Sequence, residues 1–384
     1  MAGFLLAIIY ISFVSLGLPD ALLGAAWPIM QAELNVPVSY AGGISLIIAI
    51  GTVISSLQSD RLLKWLGAGK IMVASVAMTA LAIYGFSVSS AYWQLCLWAI
   101  PYGLGAGSVD ACLNNYVALH YASRHMSWLH CMWGLGASIG PYIMGAALTG
   151  GLSWNKGYGI IAVLQVVLTA VLLFSIPMWK KQGNDAGEDV RKSPLTLRKI
   201  VAISGAKEVM LAFFCYCALE QTAILWGSSY LVVHDGMQEE LAASLASLYL
   251  IGLTLGRGLN GFLTYKMNDE KLIRLGQGII ALGIVIMLLP LGAAASFIGL
   301  MLTGLGSAPV YPCIIHSTPA HFGEENSQAL IGVQMASAYV GICVMPPLFG
   351  ILARYITVSL LPWYLGAILV VMILMCEKLN HICR

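Results

Sequence analysis

Twelve apolar runs follow one another along this chain, at about residues 4 to 30, 39 to 59, 71 to 89, 92 to 119, 126 to 150, 157 to 178, 208 to 233, 241 to 263, 272 to 290, 292 to 318, 327 to 353 and 359 to 377. A helix crossing ~30 Å of hydrocarbon needs about 20 such residues, so each run is long enough to span. Twelve spans take ~240 residues. Of 384 residues, that leaves short connections and no room for a separate water-soluble domain. Hydrophobic residues make up 59% of the chain, charged residues 9%, and the mean hydropathy is +0.85, which is too little polar surface to cover a soluble globule. Strand alternation is absent, which excludes a transmembrane barrel. No basic residue precedes Arg61, so the first run lacks the charged start of a secretory signal and is read as a span.

The loops set an expected orientation. With both ends on one side, that side receives nearly all of the 19 Lys and Arg, while the other receives only Lys156 and Arg354. Both termini are therefore expected in the cytoplasm. Arg257 lies toward the inner end of the eighth span. The net charge of +2 implies no nucleic-acid partner. The nine cysteines lie in or beside apolar runs without metal-ligand spacing and read as small buried hydrophobes.

The longest polar break, KKQGNDAGEDVRKSPLTLRK from Lys180 to Lys199, divides six spans from six. It predicts an N-terminal half over 1–178, a cytoplasmic linker over 179–207 with a surface helix near Leu195 to Lys207, and a C-terminal half over 208–384. Shifting the sequence by 201 residues lays GLGAGSVDACLNNYVALHY from Gly103 on GLGSAPVYPCIIHSTPAHF from Gly304, and also Gly51 on Gly252 and Lys70 on Lys271. One offset serving separated segments marks a duplication. Each half has an even number of spans, so the two run in the same direction across the membrane.

These features together resemble the major facilitator superfamily of transporters. SDRLLKWLGAGK, from Ser59 to Lys70, is similar to that family's loop between the second and third spans, which implies a cytoplasmic gate at Asp60 and Arg61, with Arg257 in the second half's gate. Within the superfamily the chain most resembles the fucose permease branch. The resemblance rests on Asp20 in GLPDALLG, Asp110 and Asn114 in SVDACLNNYV, Glu220 in LEQTAILW and the segment APVYPCIIHSTPAHFGEENSQALIGVQMASAY. It implies a twelve-helix, all-α integral membrane protein in two pseudo-symmetric halves that carries fucose, glucose, galactose or a related sugar. It places Asp20 at the permease's helix-1 protonation site, Asp110 at its helix-4 acid and Asn114 at a helix-4 amide.

The residues can also be weighed on their own chemistry. An ionised side chain at bilayer depth costs roughly 2.5 to 3.5 kcal/mol on insertion scales, so Asp20, Asp110 and Glu220 need a reason to be there. Each either serves a proton path or is satisfied by a neighbouring helix. Asp110 and Asn114 are i and i+4, on one helical face, and GLGAG before them is a packing motif, since no strand precedes it as a phosphate loop requires. Pro19 weakens the first helix just before Asp20 and frees local backbone groups. Gln221 is the repeat partner of Asp20, with Glu220 turned ~100° away from it. Asn115, His130, Trp133, Trp226, Tyr311, His316, Gln334 and Tyr339 add amides, rings and hydroxyls within the spans, the kinds of group that hold a sugar's paired hydroxyls and its apolar face. Midspan cations are lacking, which argues against phosphates or carboxylates as substrate.

The expected protein is a monomeric, proton-coupled symporter of a neutral monosaccharide or related small polar solute in a bacterial inner membrane, with no cofactor and no metal. Asp20, Asp110 and Glu220 are its proton-coupling candidates, and sodium is the alternative driver. GLGASIGPYIMG, with Gly136, Gly140, Pro141 and Gly145, is similar to the signature of proton-drug antiporters, which keeps an exporter as the second reading. A non-transporting sugar receptor on the same fold is the third. Enzymatic chemistry has no support, because the chain has neither a metal cluster nor a nucleophile triad.

Overall fold

The computed structural model describes residues 2–183, 194–238, 241–242, 245 and 248–383. The middle of the expected linker with Arg191 and Lys192, the start of the expected eighth span, and Arg384 lie outside the described residues. Among the described residues the chain is helical, with no strand. The first span is two helices, α1 (Ala2–Asp20) and α2 (Leu22–Glu33), broken at Ala21. Then come α3 (Tyr40–Leu66), α4 (Ala68–Ser87), α5 (Tyr92–His120), α6 (Ser123–Thr149) and α7 (Trp154–Gly183). The short α8 (Leu197–Val201) precedes α9 (Ala206–Asp235), α10 (Leu248–Leu263), α11 (Asp269–Leu288), α12 (Ala293–Phe322), α13 (Glu324–Tyr355) and α14 (Leu361–Ile382).

Ten spans among the described residues are long and apolar enough to cross a membrane, α1 and α2 counting as one. The other two complete the set of twelve. α5 has the length, at 29 residues, but carries Asp110, Asn114 and Asn115. The described part of α10 is 16 residues. Large apolar side chains cover the outer faces of these helices, with Phe174 86% exposed and Val163, Leu255 and Phe262 also open. In water such faces would aggregate, whereas in a bilayer they are solvated by lipid. The protein is therefore a multi-pass membrane protein.

The chain forms two compact units, Met1–Tyr116 with Leu129–Leu195, and Val117–Trp128 with Thr196–Arg384. The connector Val117–Trp128 thus belongs with the second unit. There Ser123 donates to Asp269, Asn260 Nδ2 to Ser127 Oγ at 2.7 Å, and Trp128 Nε1 to the Gly258 carbonyl at 3.3 Å.

Inside each unit the same glycine contacts recur at the 201-residue offset. A Cβ built on Gly51 would stand 3.1 Å from Leu104 N, and one on Gly252 would stand 3.1 Å from Leu305 N. Gly103 abuts Ile48 as Gly304 abuts Tyr249, and Gly105 meets the Ser75 carbonyl as Gly306 meets that of Gly276. Without a hydrophobic force between helices in lipid, backbones approach closely where side chains are absent, and the duplicated glycines set the same approach twice.

The break in the first span has a local cause. Pro19 has no N–H to give the Ser15 carbonyl one turn earlier, and its ring crowds that carbonyl. Gln165 of α7 supplies the missing donor, its Nε2 standing 2.6 Å from Ser15 O, while Ser15 Oγ donates to Gln165 Oε1 at 2.7 Å. Both side chains are buried, so the amide repairs the helix from outside it. Gln165→Leu is expected to cost about 1–3 kcal/mol, the penalty of leaving buried partners unmade, and to lower the unfolding temperature of the detergent-purified protein. An unchanged unfolding temperature would show that the amide does not brace the break.

Candidate functional site

The first cluster is built by helix approach. A Cβ on Gly17 would lie 2.7 Å from Ala137 N, one on Gly136 2.8 Å from the Val14 carbonyl carbon, and one on Gly140 3.0 Å from that of Leu18. These three glycines let α1 and α6 meet backbone to backbone. Two of them, Gly136 and Gly140, belong to the run that resembles the antiporter signature. Their contacts account for them as packing, while a Cβ on Gly145 would meet nothing within 4 Å.

That approach brings Trp133 of α6 onto the end of α1, where its Nε1 donates to Asp20 Oδ2 at 2.9 Å. Tyr102 of α5 donates to Asp20 Oδ1 at 2.8 Å. Asp20 as a residue is exposed, its carboxylate is held by two neutral donors, and among the described residues no cation pairs with it. Tyr102 is a site residue that sequence reading missed, since nothing in its local pattern marks a contact made 82 residues away.

The second acid lies within Coulombic range of the first. Asn114 Nδ2 donates to Asp110 Oδ1 at 2.8 Å and to the Asp110 carbonyl at 3.0 Å. This turns Asn114 Oδ1 toward His130 Nε2, 3.0 Å away, which then acts as donor. The ring edge of His130 packs against Phe13 at 5.4 Å. Asp110, Asn114 and His130 therefore form one hydrogen-bonded line from α5 to α6, buried except at its half-buried acid end. Asn115 is buried beside it.

The second unit holds its acid differently. Glu220 is the fifteenth residue of the 30-residue α9, hence at mid-helix. It accepts a hydrogen bond from Tyr216, and Arg257 Nη2 of α10 stands 3.5 Å from its Oε2 and 3.5 Å from the Tyr216 hydroxyl. Arg257 is 3% exposed, and its guanidinium lies 6.0 Å from the centre of the Tyr311 ring. One expectation is corrected: a midspan cation is present, since the side chain of Arg257 reaches to the middle of α9, where Glu220 pairs with it.

The remaining candidates divide by what already occupies them. Tyr311 packs against Phe213 and Tyr216 at 4.6 and 5.8 Å between ring centres and donates to Met335 Sδ at 3.2 Å. Gln221 and Tyr339 are half-buried on α9 and α13. Gln334 has its amide engaged within the second unit. It is fully buried, with Nε2 donating to Thr318 Oγ1 at 3.0 Å and Oε1 accepting from the same hydroxyl at 3.3 Å, so it ties α13 to α12. Trp226 is likewise committed, its Nε1 on the Pro346 carbonyl at 3.0 Å and its ring against Phe349. His316 bridges Asp269 Oδ2 at 2.6 Å and the Tyr121 carbonyl at 3.2 Å. Asp60 accepts from Lys64 at 2.8 Å and from Leu195 N at 3.4 Å, whereas Arg61 is exposed. Among the described residues no group of three or more His, Cys, Asp and Glu could hold a metal ion.

Comparison with known proteins identifies the family and the fold. The family model described as Major Facilitator Superfamily matches residues 9–296 and 209–379. Two crystal structures of FucP share the fold. One, in the outward conformation, superposes with a TM-score of 0.80 at 15% identity over 97% of each chain. The other, of the Escherichia coli fucose:proton symporter, gives 0.74 at 16% identity over 97% of this chain and 98% of that one. Bypass of stop codon protein 6 of Saccharomyces cerevisiae is 23% identical over 68% of this chain and 57% of its own length. The 3-(3-hydroxy-phenyl)propionate transporter of Escherichia coli is 25% identical over 66% and 61%. The glucose/mannose transporter GlcP of Bacillus subtilis is 19% identical over 79% and 77%.

The charge pair of the second unit makes a prediction of its own. Arg257→Met, which strands Glu220, is expected to cost about 3 kcal/mol of stability, and adding Glu220→Gln is expected to restore most of it. The measurement is unfolding of the purified variants in detergent. A double variant no more stable than the single one would show that the two side chains do not neutralise each other.

Proposed function

The chain belongs to the Major Facilitator Superfamily, and from that membership we propose that it is a proton-coupled symporter of a neutral monosaccharide-like solute, working by alternating access. The observation that carries the proposal is the contrast between its acids. The side-chain hydrogen-bond partners of Asp20 and Asp110 are the neutral Tyr102, Trp133 and Asn114, so gain or loss of a proton changes the net charge of their site. Glu220 with Arg257 is already neutral as a pair. An amide such as Gln221 cannot titrate, and a tyrosine does so only near ~10, so coupling belongs to the first unit's two acids, with Asp20 the exposed one.

The substrate class follows from the same groups. Asp20 and Asp110 offer carboxylate oxygens to hydroxyls, with Asn114 and Asn115 beside Asp110, and Trp133 presents a ring beside Asp20, groups suited to a sugar's polar edge and apolar face. Gln221, Tyr311 and Tyr339 are the second unit's candidate substrate residues. With Arg257 engaged by Glu220, an anionic solute would have to displace an internal carboxylate, which favours a neutral one. The similarity to the fucose:proton symporter and to GlcP supports this reading. The asymmetry of Lys and Arg between the loops supports an orientation with both termini in the cytoplasm.

Two measurements test the proposal. In proteoliposomes, Asp20→Asn should abolish accumulation driven by an imposed proton gradient yet retain counterflow, because a fixed mimic of the protonated acid still binds and reorients. Undiminished concentrative uptake by this variant would remove Asp20 from coupling. Across a panel of ligands, a neutral monosaccharide should raise the unfolding temperature of the purified protein while its phosphate ester does not. Protection by lipophilic cations alone would select the exporter instead.

A further inference from the structure

Away from the acids, a groove of about 630 Å³ runs along the first unit between α4 and α7. Its walls change character from one end to the other. At the end where α7 begins, Ser87, Asn155 and Lys156 stand among Tyr84, Val88 and Leu152, and from there α7 contributes Ile160, Val163 and Val167. Val163 and Val167 are more than half exposed, and Ile160 is also open. Gly159 forms part of the floor, where a Cβ would find only the Ser87 Cβ, at 3.9 Å.

The charge at the polar end is unusual for its position. Lys156 is exposed and makes no salt bridge among the described residues. Asn155 is turned into the fold, donating to the Ser89 carbonyl at 3.0 Å, so the ammonium is the group left facing outward. From Lys156 to Val167 is eleven residues of helix, or about 16 Å at 1.5 Å per residue. That is close to half of a ~30 Å hydrocarbon core, the depth of a single leaflet. The groove therefore has a cation at its water end and an apolar trough as long as one acyl chain.

We propose that this groove is a binding site for one anionic phospholipid of the leaflet in which α7 begins, with its phosphate on Lys156 and an acyl chain along Ile160, Val163 and Val167. A long cationic side chain at a helix end reaches the headgroup layer, where opposite charge selects among lipids. Under the proposed orientation this is the outer leaflet, and Lys156 and Arg354 are the only basic residues in the loops on that side.

The test is retention of lipid by the full chain in native mass spectrometry, after mixing the detergent-purified protein with equal amounts of phosphatidylglycerol and phosphatidylcholine of matched acyl chains. The wild-type protein should retain phosphatidylglycerol several-fold over phosphatidylcholine. Lys156→Gln should remove that preference while leaving some binding of both. Gly159→Leu, which suits a helix and fills the trough, should reduce retention of both several-fold. Equal retention of the two lipids by the wild-type protein would overturn the headgroup assignment. Loss of preference in Lys156→Gln with undiminished retention in Gly159→Leu would move the lipid out of the groove. Unchanged behaviour of both variants would refute the site. A sugar-uptake assay of the same variants stands apart from these readouts, so failure of the transport proposal would leave this one intact.

Discussion

Hydrocarbon offers no hydrogen bonds, and every polar group placed inside a span must find its partner in protein. In this molecule that constraint determines which helices meet and in what register. Ser15 and Gln165 pin α1 to α7, Asp20 draws Tyr102 and Trp133 onto the end of α1, and Asn114 fixes His130 against α5. In the second unit Arg257 locks α10 to α9, and Gln334 locks α13 to α12. Apolar packing against lipid-like surroundings selects weakly among rotations of a helix, because one apolar face is much like another. A single polar pair selects strongly, since the slipped arrangement leaves two buried groups unmade.

Glycine does the complementary work. Trp133 reaches Asp20 only because α1 and α6 touch at Gly17, Gly136 and Gly140, where any side chain would push the backbones apart. The contacts of Gly51, Gly103 and Gly105 inside the first unit, repeated by Gly252, Gly304 and Gly306 inside the second, carry the same logic through both. The two units share a scaffold of close approaches but not a chemistry. The position of Asp110 in one is held by Tyr311 in the other, and that of Asp20 by Gln221. A scaffold set by absent side chains leaves the neighbouring positions free to differ.

What the sequence revealed and what it hid divide along the same physical line. Spans, their number and the repeat were legible because hydropathy and a fixed offset are local or self-referential signals. The acids on α1, α5 and α9 were legible because an ionisable residue in an apolar run announces itself. Their partners were not, since Tyr102, Gln165 and Arg257 act across 82, 150 and 37 positions of chain, and no pattern within a helix records which neighbour it will face. Arg257 was misjudged for a related reason. Its depth was read from its own helix, whereas its long side chain carries the charge to the level of Glu220. The connector Val117–Trp128 was invisible in another way. Chain order joins it to the first unit's helices, yet Ser123, Ser127 and Trp128 bond to residues of the second.

The difference between the acids bears on what each can contribute to a transport cycle. A buried acid paired with an arginine is a closed system, in which neither charge can change without exposing the other. An acid held by a tyrosine hydroxyl and an indole N–H is open, because both donors keep their geometry whether the proton is on or off, and the change in charge falls on whatever else shares the site. A solute hydroxyl that accepts from the protonated acid must donate to the ionised one, so solute binding and proton binding act on the same oxygen atoms. On the proposed reading, coupling therefore needs no relay between distant groups. It arises where Asp20 and a sugar hydroxyl compete for one hydrogen-bonding pattern within the first unit.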